Sequence, residues 1–326
     1  MFLIHNATVV LIALALDAII GDPAVVWRRL AHPVVVAGAA IDWLDKRLNR
    51  LELDERTRRR RGVWAVALLL SGAAAIGLLL TWTFSGLPYG VLLEGAVAST
   101  LIAQRSLFMH VAAVKRAFDA GGLPAARQAV SMIVGRDPKR LDEAGVSRAA
   151  IESCAENFAD GVVAPAFWCL LLGLPGLFAY KALNTADSMI GHKTERHLAF
   201  GWAAARLDDW ANLIPARISG LAVAIGAALS GRSARAGLRA MRRDARRHAS
   251  PNAGWPESAM GGALGLALGG PRIYSGALVD DPWMNAGGRE AATPADVSAA
   301  LKLFCWACAV HGALIAGVLG LALLVF

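Results

Sequence analysis

Two runs of this chain leave little freedom in how it can fold. Gly62 to Phe84 is 23 residues, and Leu303 to Phe326 another 24, without one Asp, Glu, Lys or Arg. Backbone N–H and C=O groups cannot stay unpaired in hydrocarbon, so such runs cross a bilayer as helices. About 20 residues suffice for a core of roughly 30 Å. Composition agrees, with 56% of the 326 residues hydrophobic and only 18% charged. The expectation is an all-α, polytopic helical membrane protein forming a single membrane-embedded domain over residues 1–326.

Further spans are less uniform. Phe2 to Ile20 contains Asp17, but it has no basic segment ahead of it and no Ala-x-Ala-like cleavage site. It therefore reads as a retained anchor rather than a signal peptide. Val91 to Met109 carries Glu94, Gln104 and Arg105. The sequence thus predicts spans at about 2–20, 62–84, 91–109 and 303–326. At 161–180 and 213–229, Pro165, Pro175 and Pro215 interrupt apolar runs and Arg217 lies inside the second. Those two are expected to be broken or re-entrant helices around a polar site. Val34–Leu48 has helical periodicity, and Val111–Val134 reads as two short helices broken at Gly121-Gly122-Leu123-Pro124. The segment holding Asp280, Asp281 and Glu290 reads as an exposed linker.

The net charge of +8 is concentrated. Lys46–Arg61 holds eight Lys or Arg, and Arg232–Arg247 holds seven Arg against the single acid Asp244. Beside membrane spans, the preference of basic loops for the cytoplasm explains both blocks, and no groove-reading motif points to nucleic acid. Polar segments at about 21–61, 110–160, 184–212 and 231–300 are then cytoplasmic, in a cell (inner) membrane. Cys154, Cys169, Cys305 and Cys308 form no metal-ligand framework, and the C-x-x-C of the last pair reads as small core residues.

The stretch Arg148–Arg217 gathers the chemistry. Glu152, Glu156 and Asp160 are spaced i, i+4, i+8, one acidic stripe on a regular helix. Asp208 and Asn212 repeat the i, i+4 spacing beside Asp209 and Arg206. Carboxylates crowded next to apolar sequence repel one another, and a cation resolves the repulsion. Mg²⁺ held against phosphate oxygens suits them, with Arg136, Lys193, Arg206 and Arg217 as complementary cations. The competing reading is ion pairing alone, for example Arg206 with Asp209. Gly191-His192-Lys193-Thr194 lacks the upstream glycine of a P-loop, and Gly-x-Ser-x-Gly and His-Glu-x-x-His are absent. Trp202, Trp210 and Trp255 suit an interfacial belt or a stacking surface. Asp17 and Asp22 lie in and just beyond the first span, and an acid inside a membrane helix calls for a partner.

Five segments, in order, are LDAIIGDP with HPV, IVGRDP, AAIESCAENFADGVVAP, ALNTADSMIGHKTERHLAFGWAAARLDDWANLIPAR and SPNAGWPESAMGGALG. Together they resemble the CobD/CbiB family, the adenosylcobinamide-phosphate synthases of cobalamin biosynthesis. Pro138 stands where that family's turn is expected to carry a Thr, so no hydroxyl is offered there. The resemblance implies a membrane ligase that joins (R)-1-aminopropan-2-ol, or its O-phosphate, to a propionate of adenosylcobyric acid. ATP would be the co-substrate and Mg²⁺ the metal. It makes Glu152, Glu156, Asp160, Asp187, Asp208 and Asp209 candidates for metal binding and general base. Asn184, Lys193, Arg206, Asn212 and Arg217 would orient phosphates or the carboxylate, with Asp22, His32, Ser250 and Asn252 behind them. The implied partners are the corrinoid, the amine and the lipid bilayer, with a homo-oligomer or other cobalamin-assembly enzymes beyond. A Mg²⁺-dependent intramembrane prenyltransferase and a non-catalytic sensor similar to the AmpE relatives are the rival readings.

Overall fold

The computed structural model describes residues 1–22, 27–134, 138–274, 277–279 and 281–325, with backbone only for 272–274 and 277–279. Arg136, Asp137 and Asp280 lie outside the described residues. Among those described, the fold is helical apart from four short strands. Five helical stretches are long and apolar enough to cross a membrane: Phe2–Ile19, Glu55–Ser85, Gly90–Val130, Glu143–Ile190 and Pro294–Val325. A sixth arises if Trp202–Ala211 and Leu213–Leu229 act as one bent span.

The chain divides into two compact units where its sequence suggests one. The first comprises Met1–Ala103, Ala164–Asn212 and Ile315–Phe326, the second Gln104–Val163 and Leu213–Leu314. The boundaries at Ala103, Val163 and Asn212 each coincide with a break in regular α-helix.

In the first unit, α1 (Phe2–Ile19) packs on α4 (Gly90–Ser99) and α7 (Ala164–Ile190), and α3 (Glu55–Ser85) lies along α7. Helix α2 (Pro33–Leu48) starts where His32 Nδ1 accepts the Val34 N–H at 3.2 Å, with Pro33 in the first turn. The core between α2, α3, α7 and α8 (Trp202–Ala211) holds Ile41, Leu44, Val66, Leu183, Ile190 and Phe200. Asp45, on α2, anchors the loop after α7: it accepts from Asn49 at 2.7 Å and from Arg196 at 2.7 and 3.0 Å. Arg58 completes the anchor, donating to Asn49 Oδ1 at 2.9 Å and to the Arg196 carbonyl. Burial pushes the Asp45 carboxyl up, but the hydrogen bonds from Asn49 and Arg196 outweigh it and hold the group below its ordinary range.

The second unit contains α5 (Gln104–Val130), α6 (Glu143–Phe158), α9 (Leu213–Leu229), α10 (Ala234–Asp244), α11 (Gly254–Leu264) and most of α12 (Pro294–Val325). The expected linker instead pairs as strands. β1 (Leu268–Gly269) pairs with β4 (Trp283–Met284), and β2 (Arg272–Tyr274) with β3 (Ala277–Val279), both antiparallel. Asp244, fully buried, accepts from Arg243 at 2.7 and 2.8 Å and from the Asn285 N–H at 2.8 Å.

Two helix breaks share one tripeptide. Gly122-Leu123-Pro124 in α5 and Gly173-Leu174-Pro175 in α7 place their glycines at φ 64°, ψ −157° and φ 68°, ψ −157°. Only glycine takes that conformation without strain, and the proline two residues on opens the next helical turn. In α7 the break exposes a carbonyl, and buried Asn6 answers it by donating to Leu170 O at 3.1 Å. None of the four cysteines forms a disulfide, and Cys305 is exposed rather than a core residue.

Candidate functional site

Tyr180, Asn184 and Asp187 are spaced i, i+4, i+7, so α7 presents them on one face. Facing them, α8 carries Asp208 and ends at Asn212. Asn212 Oδ1 accepts from the Tyr180 hydroxyl at 2.9 Å, and its Nδ2 donates to Asp208 Oδ2 at 2.9 Å and to Asp208 O at 3.2 Å. Asn184 Nδ2 donates to the other carboxylate oxygen at 3.4 Å. Asp208 is only 7% exposed, and its two amide donors fix it without cancelling its charge. Asp187 and Asp209 are near enough to repel it, while Arg206 and Lys193 act favourably on Asp209. Asp187 rests against Gly191, where any Cβ would overlap its Oδ1, so glycine at 191 is what lets the acid lie there.

Carboxylate and amide oxygens are the donor class that suits Mg²⁺. Among the described residues no group of three His, Cys, Asp or Glu side chains is arranged to hold an ion by itself. Phosphate oxygens and water would have to complete the shell, the usual arrangement for Mg²⁺ with nucleotides.

The acids of the second unit are arranged differently from a regular stripe. Glu152 and Glu156 lie on α6, but Asp160 falls in a π-turn, Ala159–Val163. Pro165 has no N–H to give to the carbonyl four residues back, and the wider turn accommodates that loss. Glu152 is buried and accepts the Gly269 N–H of β1 at 2.8 Å, whereas Glu156 is exposed and Asp160 half-buried. On the same helix Arg148 donates to Glu290 O at 2.6 Å and covers the Trp283 ring at 5.3 Å.

Also in the second unit, half-buried Arg217 donates to Asn252 Oδ1 at 3.1 Å and lies 4.4 Å over the Trp255 ring. Asn252 is set by Ser250, whose hydroxyl accepts the N–H groups of Asn252 and Ala253, both at 3.2 Å. His248 accepts the Ser250 N–H at 3.0 Å and stands 3.7 Å from buried Glu257. Arg246 adds a second positive charge near Arg217. In the first unit, Asp22 and His32 lie 3.5 Å apart, Trp202 carries Arg59 at 3.6 Å, Trp210 is exposed, and Lys193 and Arg206 face outward. Sequence reasoning missed Tyr180, His248 and Glu257. The one available hint was a phenol closing an otherwise uncharged run four residues before Asn184.

The sequence profile described as CobD/Cbib protein matches residues 10–304. The chain belongs to the CobD/CbiB family. That match contains every CobD/CbiB candidate residue named above, from Asp22 to Glu257. The chain is 52% identical over 305 residues to "Cobalamin biosynthesis protein CobD" of Rhizobium meliloti (strain 1021), covering 93% of each. It is 53% identical over 299 residues to the protein of the same name from Brucella suis biovar 1 (strain 1330), covering 90% of each. A Rhodobacter capsulatus protein, also so named, is 48% identical over 299 residues, 91% of this chain and 92% of that one. No solved structure matches.

Proposed function

We propose that this protein is a cobalamin-biosynthesis ligase, joining (R)-1-aminopropan-2-ol or its O-phosphate to a propionate carboxylate of adenosylcobyric acid. The environment of Asp208 carries the reading: a buried carboxylate, pinned by Asn184 and Asn212, beside two further carboxylates. A carboxylate does not condense with an amine unaided. ATP transfers its γ-phosphoryl group to the propionate, the amine attacks the resulting acyl phosphate, and inorganic phosphate leaves with the amide bond formed.

Asp187, Asp208 and Asp209 would hold Mg²⁺, which neutralises phosphate charge when bound. Tyr180 and Asn212 keep Asp208 in place. Lys193 and Arg206 are assigned to phosphate oxygens, with Arg136 as a further cation. Arg217 and Asn252 are assigned to an anionic group of the substrate, and Glu156 or Asp209 to the proton released by the amine. Glu152 and Asp160 are assigned to support, Glu152 through β1. The site opens to the cytoplasm, where ATP is found.

The test is direct. Protein in lipid nanodiscs is given adenosylcobyric acid, ATP, Mg²⁺ and either aminopropanol or its phosphate. The expected products are the corrinoid amide, ADP and phosphate, resolved by mass spectrometry. Turnover of a prenyl diphosphate with no corrinoid product would favour the prenyltransferase instead, and binding without turnover of either a sensor.

A further inference from the structure

Helix α10 has two unlike sides. Arg235, Arg239 and Arg242 follow one another at i, i+4, i+7, and Arg246 in the turn Ala245–Arg247 continues the row. All four are exposed. The opposite side, Gly237, Ala240, Met241 and Asp244, is buried. Asp244 is the one acid from Gly231 to Arg247, and Arg243 and Arg247 already engage it. The stripe therefore has no counter-charge within its own segment.

Close packing at glycines shows how the helix lies. Gly220 of α9 packs on Met241, and Gly237 of α10 on Ala224. Rising numbers on one helix meet falling numbers on the other, so α10 runs back along α9 and carries its arginines beside it. Gly262 of α11 packs on Ala236 and Ala240, a further side of α10, which leaves the stripe facing outward. On α9 the exposed side is an apolar row, Ile214, Leu221, Ile225 and Leu229. Gly226 of α9 packs on Ala307 of α12, four residues past Leu303, where the uncharged run of that helix begins. At 1.5 Å per residue, α9 meets that span only about 6 Å inside its apolar part.

We infer that α9 and α10 rest on the membrane surface as a hairpin and do not form a sixth span. The apolar row of α9 lies among the upper parts of the acyl chains, and the arginine stripe of α10 meets the phosphates of anionic lipids. An upright α9 would take the arginines beside it through hydrocarbon, where each needs a partner that its segment does not supply. Nucleic acid or an acidic protein would match the arginines but leave the apolar row in water. A second copy of the stripe would set like charge against like. The inference is separate from the ligase reaction, and its test does not use that reaction.

Nitroxide labels at Ile214→Cys, Leu221→Cys, Ile225→Cys and Leu229→Cys, each in an otherwise cysteine-free intact chain, report depth by power saturation with oxygen and a nickel chelate. In nanodiscs of phosphatidylglycerol and phosphatidylcholine in equal parts, all four should sit about 5–10 Å below the phosphates. Each arginine near an anionic surface is worth roughly fivefold in affinity, so Gln at 235, 239 and 242 together should shift the seated hairpin toward water about a hundredfold. Lys at the same three positions should keep it seated, and phosphatidylcholine alone should release the wild-type hairpin as the Gln variant does. Helical content of each variant, by circular dichroism, separates loss of the contact from loss of fold. Depths that pass through the bilayer centre between Ile214 and Leu229 would overturn the inference. So would labels that stay in water in both lipids, or depths that a folded triple Gln variant leaves unmoved.

Discussion

The hydroxyl of Tyr180 donates to Oδ1 of Asn212 across 2.9 Å, and this turns Nδ2 of the same amide toward the Asp208 carboxylate. A residue from an apolar stretch of α7 thereby sets the geometry of an acid on α8. Loss of Asn212 should act on catalysis through Asp208. For Asn212→Ala the expected fall in kcat/KM for amide formation is roughly 10- to 100-fold, with a raised Mg²⁺ requirement. Tyr180→Phe should give a smaller change in the same direction. A Mg²⁺ titration at fixed ATP checks both.

Asp187→Asn, Asp208→Asn and Asp209→Asn should each lower activity on the order of a hundredfold or more. Gly191→Ala should reproduce part of the Asp187 effect, since its methyl group claims the place of the carboxylate. Chelation should stop turnover of the native protein and added Mg²⁺ restore it. Wild-type rates in all three acid variants would remove these residues from the site.

Asn6 and Leu170 make a prediction about stability alone. Asn6→Leu leaves the Leu170 carbonyl without its side-chain donor in an apolar setting, at a cost of about 1–3 kcal/mol. Gly173→Ala forces a side chain into a backbone region reserved for glycine and should cost a similar amount. Thermal unfolding in detergent should show both as lowered midpoints.

Asp244 gives a pH dependence. Burial raises its pKa, but hydrogen bonds from Arg243 and the Asn285 N–H, with the charges of Arg243 and Arg247, outweigh that and leave it lowered. A carboxyl lowered on folding contributes fully above its unfolded value of about 3.9 and loses that contribution as pH falls through the lowered value. Asp244→Asn should therefore destabilise by about 2 kcal/mol at neutral pH, and the gap to wild type should narrow in strong acid. Unfolding midpoints at a series of pH values test this.

Ser188 and Thr194, both exposed, lie between Asp187 and Asp208 in sequence. As cysteines in an otherwise cysteine-free chain, both should react with an impermeant maleimide from the cytoplasmic side only. Labelling from the opposite side would separate the cluster from ATP.

How much of this was legible depended on whether the cause was local. The run 62–84 falls inside α3, and 303–325, the described part of the second run, inside α12, as carbon-rich sequence dictates. Both helices begin earlier than those runs, because a polar first turn, capped at α3 by Asp54 accepting from Thr57 N at 3.0 Å, lies outside the apolar stretch. The break at Gly122 was readable because its tripeptide is self-sufficient. The strands were not: each is two or three residues long, and Leu268 finds its partner at Met284. Glu152 could not be placed either, since the N–H it accepts belongs to a residue 117 positions away. The π-turn fell between these cases, with Pro165 announcing a disturbance but not its form.

The anchor built from Asp45, Asn49 and Arg58 has a mechanical corollary. It grips Arg196, three residues after Lys193, while Ile190 at the close of α7 sits three residues before it. A loop clamped that close on either side has almost no slack, each residue spanning at most about 3.6 Å. Whatever Lys193 reaches, it reaches by unfurling its own four-carbon arm from a fixed shoulder, so lengthening this loop by a single residue should blunt the lysine more than moving it by one position.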